Sequence, residues 1–127
     1  LLDSAQLVSM VPGGGRRWFD IGSGAGLPGV VTAILTSNPT VLIEPRRLRV
    51  QFLERVVHAL GLRQVTVAPQ KAEQFRASPA GVITARAVAS VSRLLDAAEH
   101  LGDEATQWLL PKGAAAAAEL EDARRDW

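Results

Sequence analysis

The sequence predicts an α/β fold in which a doubly wound, mainly parallel β-sheet is covered by helices on both faces. Three features indicate this fold: short apolar segments alternate with segments of helical periodicity, a glycine cluster follows the first apolar segment, and an acidic residue ends the second. With 127 residues, 47% of them hydrophobic, the chain can bury a core and is too apolar for a disordered tail. We therefore expect residues 1–127 to form a single domain.

Each element follows from residue type and spacing. Strands are predicted at 17–21, 40–44, 64–68, 81–85 and 106–110, and helices at 3–10, 28–36, 46–60, 91–101 and 114–125. The clearest helix is 46–60, because its apolar residues recur on one face and Gly61 follows the last of them. Pro28 suits a first helical turn, where its missing N–H would have no partner. Trp18 and Trp108 lie within predicted strands, and we expect both to pack in the core.

Composition excludes several function classes. The chain has no cysteine and only two histidines, which excludes disulfides, thiolate metal sites and a cysteine nucleophile and argues against any metal centre. No apolar run approaches the ~20 residues of a membrane span, and no secretory signal opens the chain, so we expect a soluble, cytoplasmic protein. The net charge is only +1, but residues 1–63 carry seven arginines against four acids. A polyanionic partner would therefore be bound by a local patch.

The glycine cluster and a distant acid indicate an adenosine-containing ligand. Glycines at 22, 24 and 26 let the backbone turn tightly and approach a ligand without a Cβ. Glu44, which ends the second strand about 20 residues further on, is placed to accept hydrogen bonds from ribose hydroxyls. Two ligands fit: residues 24–29 match the loose pattern of dinucleotide binders, whereas Asp20 before the alternating glycines suits S-adenosylmethionine. The latter arrangement resembles motif I of class I methyltransferases, whose sheet is Rossmann-like.

A closer resemblance covers essentially the whole chain. The run Asp-Ile-Gly-Ser-Gly-Ala-Gly-Leu-Pro-Gly at 20–29 is similar to the ribosomal RNA small subunit methyltransferase G family, also called glucose-inhibited division protein B. Further similar segments lie at 1–4, 42–45, 71–73, 85–88 and 110–113. Members of that family have additional helical sequence before the residues matched here and additional strands after them. The resemblance therefore implies that this chain is a fragment that lacks both ends, including the terminal strands of the sheet.

The resemblance implies a reaction and a set of site residues. The family transfers a methyl group from S-adenosyl-L-methionine to N7 of a guanosine in 16S ribosomal RNA, so its partner is that RNA or the small ribosomal subunit. The implied cofactor-binding residues are Gly22, Gly24, Gly26, Leu27, Glu44, Ala72, Glu73 and Arg86. Of these, Ala72 and Glu73 would lie beside the adenine, and Glu44 would hold the ribose.

The implied chemistry needs no general base. Guanine N7 attacks with a lone pair and loses no proton, so the enzyme mainly aligns it with the methyl–sulfur bond. The segment 84–87 lacks the Asn/Asp-Pro-Pro-aromatic motif of enzymes that methylate exocyclic amines, and the lack of cysteine excludes a covalent adduct at a pyrimidine C5. Candidates for contacts to RNA phosphate are Lys112, which follows the fifth predicted strand, and the cations that begin the predicted helix 46–60 at the same edge: Arg46, Arg47 and Arg49.

Other functions remain open from the sequence alone. A nicotinamide-dependent oxidoreductase would use the same glycine loop and ribose-binding acid. A non-catalytic ribosome-binding module would keep the fold and bind RNA without needing the cofactor. A methyltransferase with a small-molecule substrate would share the cofactor site, and methyl transfer to ribosomal RNA would exclude it.

Overall fold

A computed structural model of the chain describes residues 16–22, 33, 38–85 and 91–109. They contain five strands, two α-helices and one 3-10 turn: β1 (Trp18–Ile21), β2 (Thr40–Ile43), α1 (Arg47–Ala59), β3 (Val65–Ala68), β4 (Val82–Ala85), α2 (Val91–Ala98), the 3-10 turn (Glu99–Leu101) and β5 (Gln107–Leu109). The predicted strands and the two predicted helices within these ranges are confirmed. The predicted helices 3–10 and 114–125 lie outside the described residues, and of 28–36 only Ala33 is described, as a helical and buried residue.

The five strands form one parallel sheet in the order β3-β2-β1-β4-β5. From β1 the chain places β2 and then β3 on one side, and afterwards places β4 and β5 on the other side. The direction of winding therefore reverses between β1 and β4. In open sheets of this kind, ligands bind beyond the carboxyl ends of the strands at that point.

One face of the sheet packs against α2 and the 3-10 turn. The buried cluster on this face joins Phe19 and Ile21 of β1 to Ile83 of β4 and to Leu94 and Leu101. The predicted helix 91–101 is thus an α-helix only to Ala98, because its last turn tightens into the 3-10 conformation before Gly102. Leu101 remains fully buried in that turn, so the tightened end still closes the core.

The opposite face packs against α1. Leu42 of β2 and Val65 of β3 form a second buried cluster with Leu53 of α1 and with Ala33. The helix ends at Ala59, and Gly61 follows with a φ of +63°, a conformation that glycine adopts without steric cost. Side chains of successive strand residues alternate between these two faces, so both faces are covered as parallel sheets require.

No helix in the described ranges is long and apolar enough to cross a membrane.

The burial of α1 predicts a contrast between two of its leucines. Leu53 is fully buried and Leu48 is 78% exposed. We expect Leu53→Ala to lower the free energy of unfolding by about 2–5 kcal/mol, because it leaves a cavity between helix and sheet. Leu48→Ala should change it by less than about 0.5 kcal/mol. Urea unfolding of the two variants measures the difference, and equal losses would show that α1 does not pack through the face that holds Leu53.

Candidate functional site

A crevice of about 340 Å³ lies at the carboxyl ends of β1 and β2, on the face covered by α2. Its lining comes from four segments that are distant in sequence: Ile21, Gly22, Ile43, Pro45, Lys71, Ala72, Glu73, Arg93, Leu94 and Ala97. The inner wall is apolar and the charged side chains stand at the rim, since Ile21, Ile43 and Leu94 are buried whereas Lys71, Glu73 and Arg93 are exposed. Such a cavity suits a ligand with a flat, largely apolar group and a polar end.

Gly22 brings the backbone of β1 to the crevice. Its φ of +67° turns the chain sharply, and its N–H donates to the carbonyl of Ile43 over 2.8 Å, one residue beyond the end of β1. A Cβ built at this position meets no atom within 4 Å. The need for glycine therefore comes from the backbone conformation rather than from crowding, and it leaves room above the strand end.

Glu44 follows β2 directly and lies in sequence between the crevice residues Ile43 and Pro45. Its side chain is 2% exposed, and its Oε2 accepts a hydrogen bond of 2.8 Å from the N–H of Arg46, just before α1 begins. The backbone N–H of Glu44 donates to the carbonyl of Ala68, which continues the ladder to β3. This contact fixes the position of the carboxylate, a group that can accept several hydrogen bonds.

The turn that carries Ala72 and Glu73 is anchored from two sides. Phe75 donates its N–H to the carbonyl of Lys71 over 3.1 Å, and its ring packs edge-on against Phe19 with 5.4 Å between centroids. The Arg76 guanidinium donates to the carbonyl of Glu73 over 2.7 Å. Ala72 is thereby buried against the sheet. This turn presents a fixed backbone and an apolar wall to the crevice.

The structure adds a wall that the sequence did not reveal. Arg93, Leu94 and Ala97 of α2 line the crevice together with Gly22 and Pro45. The available signal was positional: α2 is the helix that follows β4, so it covers the face next to the point where the winding reverses. Its apolar periodicity predicted a helix but did not distinguish a residue facing a ligand from one facing the core.

Asp20, the acid whose position before the alternating glycines suits S-adenosylmethionine, is not among the described residues that line the crevice. It is fully buried, and it points to the α1 face because its neighbours in β1, Phe19 and Ile21, point to the α2 face. Its Oδ1 accepts a hydrogen bond from Thr84.

The remaining predicted residues divide by location. Gly22, Ala72 and Glu73 meet in the crevice, and Glu44 lies beside it. The side chains of Arg46, Arg47 and Arg49 are exposed where α1 leaves the same edge of the sheet. Predicted residues that lie outside the described ranges are Gly24, Gly26, Leu27, Arg86 and Lys112. Within the described part of the chain, no three His, Cys, Asp or Glu residues are grouped so that they could hold a metal ion.

Solved structures support the fold. The chain superimposes with a TM-score of 0.81 on a ribosomal protein L11 methylase from Lactobacillus delbrueckii subsp. bulgaricus, at 12% identity and over 98% of this chain and 66% of that one. A SAM-dependent methyltransferase from Geobacter sulfurreducens in complex with S-adenosyl-L-homocysteine gives a TM-score of 0.74 at 18% identity, over 86% of this chain and 47% of that one. At these identities the likeness shows a class I methyltransferase fold.

Sequence comparison shows the family. A protein of Rhizorhabdus wittichii named ribosomal RNA small subunit methyltransferase G is 48% identical over 130 residues, which is 100% of this chain and 60% of that protein. A protein of the same name from Sphingopyxis alaskensis is 44% identical over all of this chain and 55% of its own length. The chain thus spans less than two thirds of these relatives. The model of the family described as rRNA small subunit methyltransferase G matches residues 1–127, and the chain belongs to that family.

Proposed function

We propose that this chain forms the cofactor-binding domain of a methyltransferase that uses S-adenosyl-L-methionine to methylate N7 of a guanosine in 16S ribosomal RNA. The single observation that carries the proposal is the crevice, which joins the end of β1 at Gly22 to the turn at Ala72 and Glu73. The resemblance implied these same residues for the cofactor, although they are about 50 positions apart in sequence. Residues 1–127 act as one domain in this proposal.

The crevice residues fit the adenosyl group of the cofactor. Buried Ile43 and Ala72 offer apolar walls for a flat purine, and the exposed carboxylate of Glu73 lines the same crevice. Glu44, held by the Arg46 amide, supplies a carboxylate for the ribose hydroxyls. By the family resemblance, Gly24, Gly26, Leu27 and Arg86 complete the binding site. The bound cofactor supplies an electrophilic methyl group on a sulfonium sulfur.

The protein's contribution to the reaction is alignment. N7 of guanine carries an available lone pair, so no residue of this chain needs to remove a proton before attack. Gly22, Pro45 and the 71–75 turn hold the cofactor in place. The arginines beside them bind the RNA that carries the guanine. Holding both in an attack geometry converts an encounter of two molecules into a step within one complex, which lowers the barrier by several kcal/mol.

RNA binds in this proposal across the arginine rim, defined as Arg46, Arg47 and Arg49. All three side chains are exposed, and they begin the helix that leaves the sheet beside the crevice residue Pro45. The first turn of α1 contains no acidic residue, so no carboxylate in that turn neutralises the arginines. Arginine pairs well with phosphate through its planar fork of donors. Lys112, which follows the fifth predicted strand, joins this surface in the proposal, and a ribosomal substrate implies a cytoplasmic protein.

The crevice assignment predicts different behaviour for two glycines of like conformation. Gly22 and Gly61 have φ values of +67° and +63°, and an added Cβ meets nothing within 4 Å at either position. Gly22→Val and Gly61→Val should therefore lose similar stability, about 1–3 kcal/mol, from backbone strain. We expect only Gly22→Val to lose affinity for S-adenosylhomocysteine in calorimetric titration of the full chain, because Gly61 lies at the far end of α1.

The same titration separates the cofactor classes. The unchanged chain should bind S-adenosylhomocysteine and release no heat with NAD. Preference for NAD would contradict this proposal and favour an oxidoreductase. Equal affinity for S-adenosylhomocysteine in the two glycine variants would show that the ligand binds outside the crevice.

The arginine rim predicts a salt-dependent effect on RNA binding. Arg46→Gln combined with Arg49→Gln should weaken binding to 16S ribosomal RNA and reduce the slope of log affinity against log salt by about 2, one per lost phosphate contact. The matched control combines Arg55→Gln with Arg63→Gln, two exposed arginines further along the chain. Filter binding at several salt concentrations measures the slopes. If both pairs of substitutions change the slopes equally, the arginine rim is not the RNA-binding surface. Affinity for S-adenosylhomocysteine should stay the same in both.

A further inference from the structure

Three fully buried polar side chains of β1 and β4 form one hydrogen-bonded chain within the sheet. The indole N–H of Trp18 donates to Oγ1 of Thr84 over 2.9 Å, and Oγ1 of Thr84 donates to Oδ1 of Asp20 over 2.6 Å. All three residues have 0% exposure. Polar side chains are costly to bury unless their donors and acceptors are matched.

The direction of each bond is fixed by the chemistry of the groups. An indole nitrogen can only donate, so the Thr84 hydroxyl must accept from Trp18. That hydroxyl has one proton, which therefore points to Asp20, and Oδ1 of Asp20 must accept it. A bond of 2.6 Å between a hydroxyl and a carboxylate oxygen has the length expected of a charge-assisted hydrogen bond. The chain thus holds the Asp20 carboxylate in one orientation.

The sheet register brings these residues together. Asp20 is the direct cross-strand partner of Thr84, with Leu42 as its partner on the other side. Trp18 lies two residues before Asp20 and so points to the same face. A shift of one residue in the β1–β4 register would place an apolar side chain, Ile83 or Ala85, opposite Asp20. The contact therefore exists only in the register that also aligns the carboxyl ends of β1 and β4.

We propose that Thr84 is a positioning residue for the cofactor crevice. Its hydroxyl holds Asp20 in place and thereby fixes the backbone at Gly22. Asp20 is two residues before Gly22, whose turn lines the crevice and whose N–H binds the carbonyl of Ile43. Trp18 supports Thr84 in turn by occupying its acceptor position. The inference rests on the proposed function, since it concerns the binding of S-adenosyl-L-methionine in that crevice. No contact between Thr84 and the cofactor is required.

Thr84→Val tests the proposal, because valine has nearly the same shape and lacks the hydroxyl. We expect its affinity for S-adenosylhomocysteine to fall about tenfold, because part of the binding free energy must then reorder Asp20 and the backbone at Gly22. Thr84→Ser, which keeps the hydroxyl, should stay within about twofold of the unchanged chain. In nitrogen-edited NMR the Trp18 indole resonance, assigned by its absence from Trp18→Phe, should move in Thr84→Val and stay in place in Thr84→Ser.

Thr40→Val is the matched control. Thr40 is 2% exposed, begins β2, and pairs in register with Trp18, but its hydroxyl donates to the carbonyl of Asn38 at the amino end of the sheet. Its loss should lower the unfolding midpoint by an amount similar to that of Thr84→Val and leave affinity for S-adenosylhomocysteine unchanged. An equal loss of affinity in both valine variants would reduce Thr84 to a structural role and overturn the proposal.

The outcomes separate this inference from the proposed function. If the unchanged chain does not bind S-adenosylhomocysteine, the proposed function fails and the positioning role fails with it. If the unchanged chain binds and Thr84→Val binds equally well, only the positioning role fails. Should Thr84→Val unfold, Thr84→Ala takes its place, since it also removes the hydroxyl that binds Asp20; full affinity in that variant would contradict the proposal.

Discussion

The pairing of β1 between β2 and β4 is the constraint on which the rest of the structure depends. Parallel strands in register end at the same edge of the sheet, so the loops that follow them meet in space. The register of β1 aligns Ile21 with Ile43 and with Ala85, and the chain turns sharply at Gly22, the next residue. A slip by one residue would exchange the two faces of β1 and place Asp20 in the apolar α2 core.

Two kinds of contact hold the crevice residues in place. Gly22 and Glu44 continue the sheet ladder through backbone hydrogen bonds, so the neighbouring strands fix their positions. The 71–75 turn has no ladder and is held instead by an aromatic contact to Phe19 and by its own short hydrogen bonds. Position in this site therefore comes from the core beneath it, which is how a precise site can be built from short loops.

The two faces of the sheet serve the site differently. The α2 face supplies the apolar floor of the crevice through Ile21, Ile43 and Leu94. The α1 face buries the polar chain from Trp18 to Asp20, and the helix on that face begins with exposed arginines that follow the crevice residue Pro45. The proposed cofactor and the proposed RNA thus meet at one edge, each bound by groups fixed from a different layer.

The sequence by itself determined the alternation of strands and helices, the glycine turn after β1 and the acid after β2, because these depend on local periodicity and on residues close in the chain. The family motifs, which lie within short segments, likewise implied Ala72 and Glu73. The tertiary structure alone decided that α2 walls the crevice, that Asp20 points away from it and that Thr84 holds Asp20. Those facts depend on register and on which face a side chain occupies, and contacts between residues 64 positions apart leave no local signal.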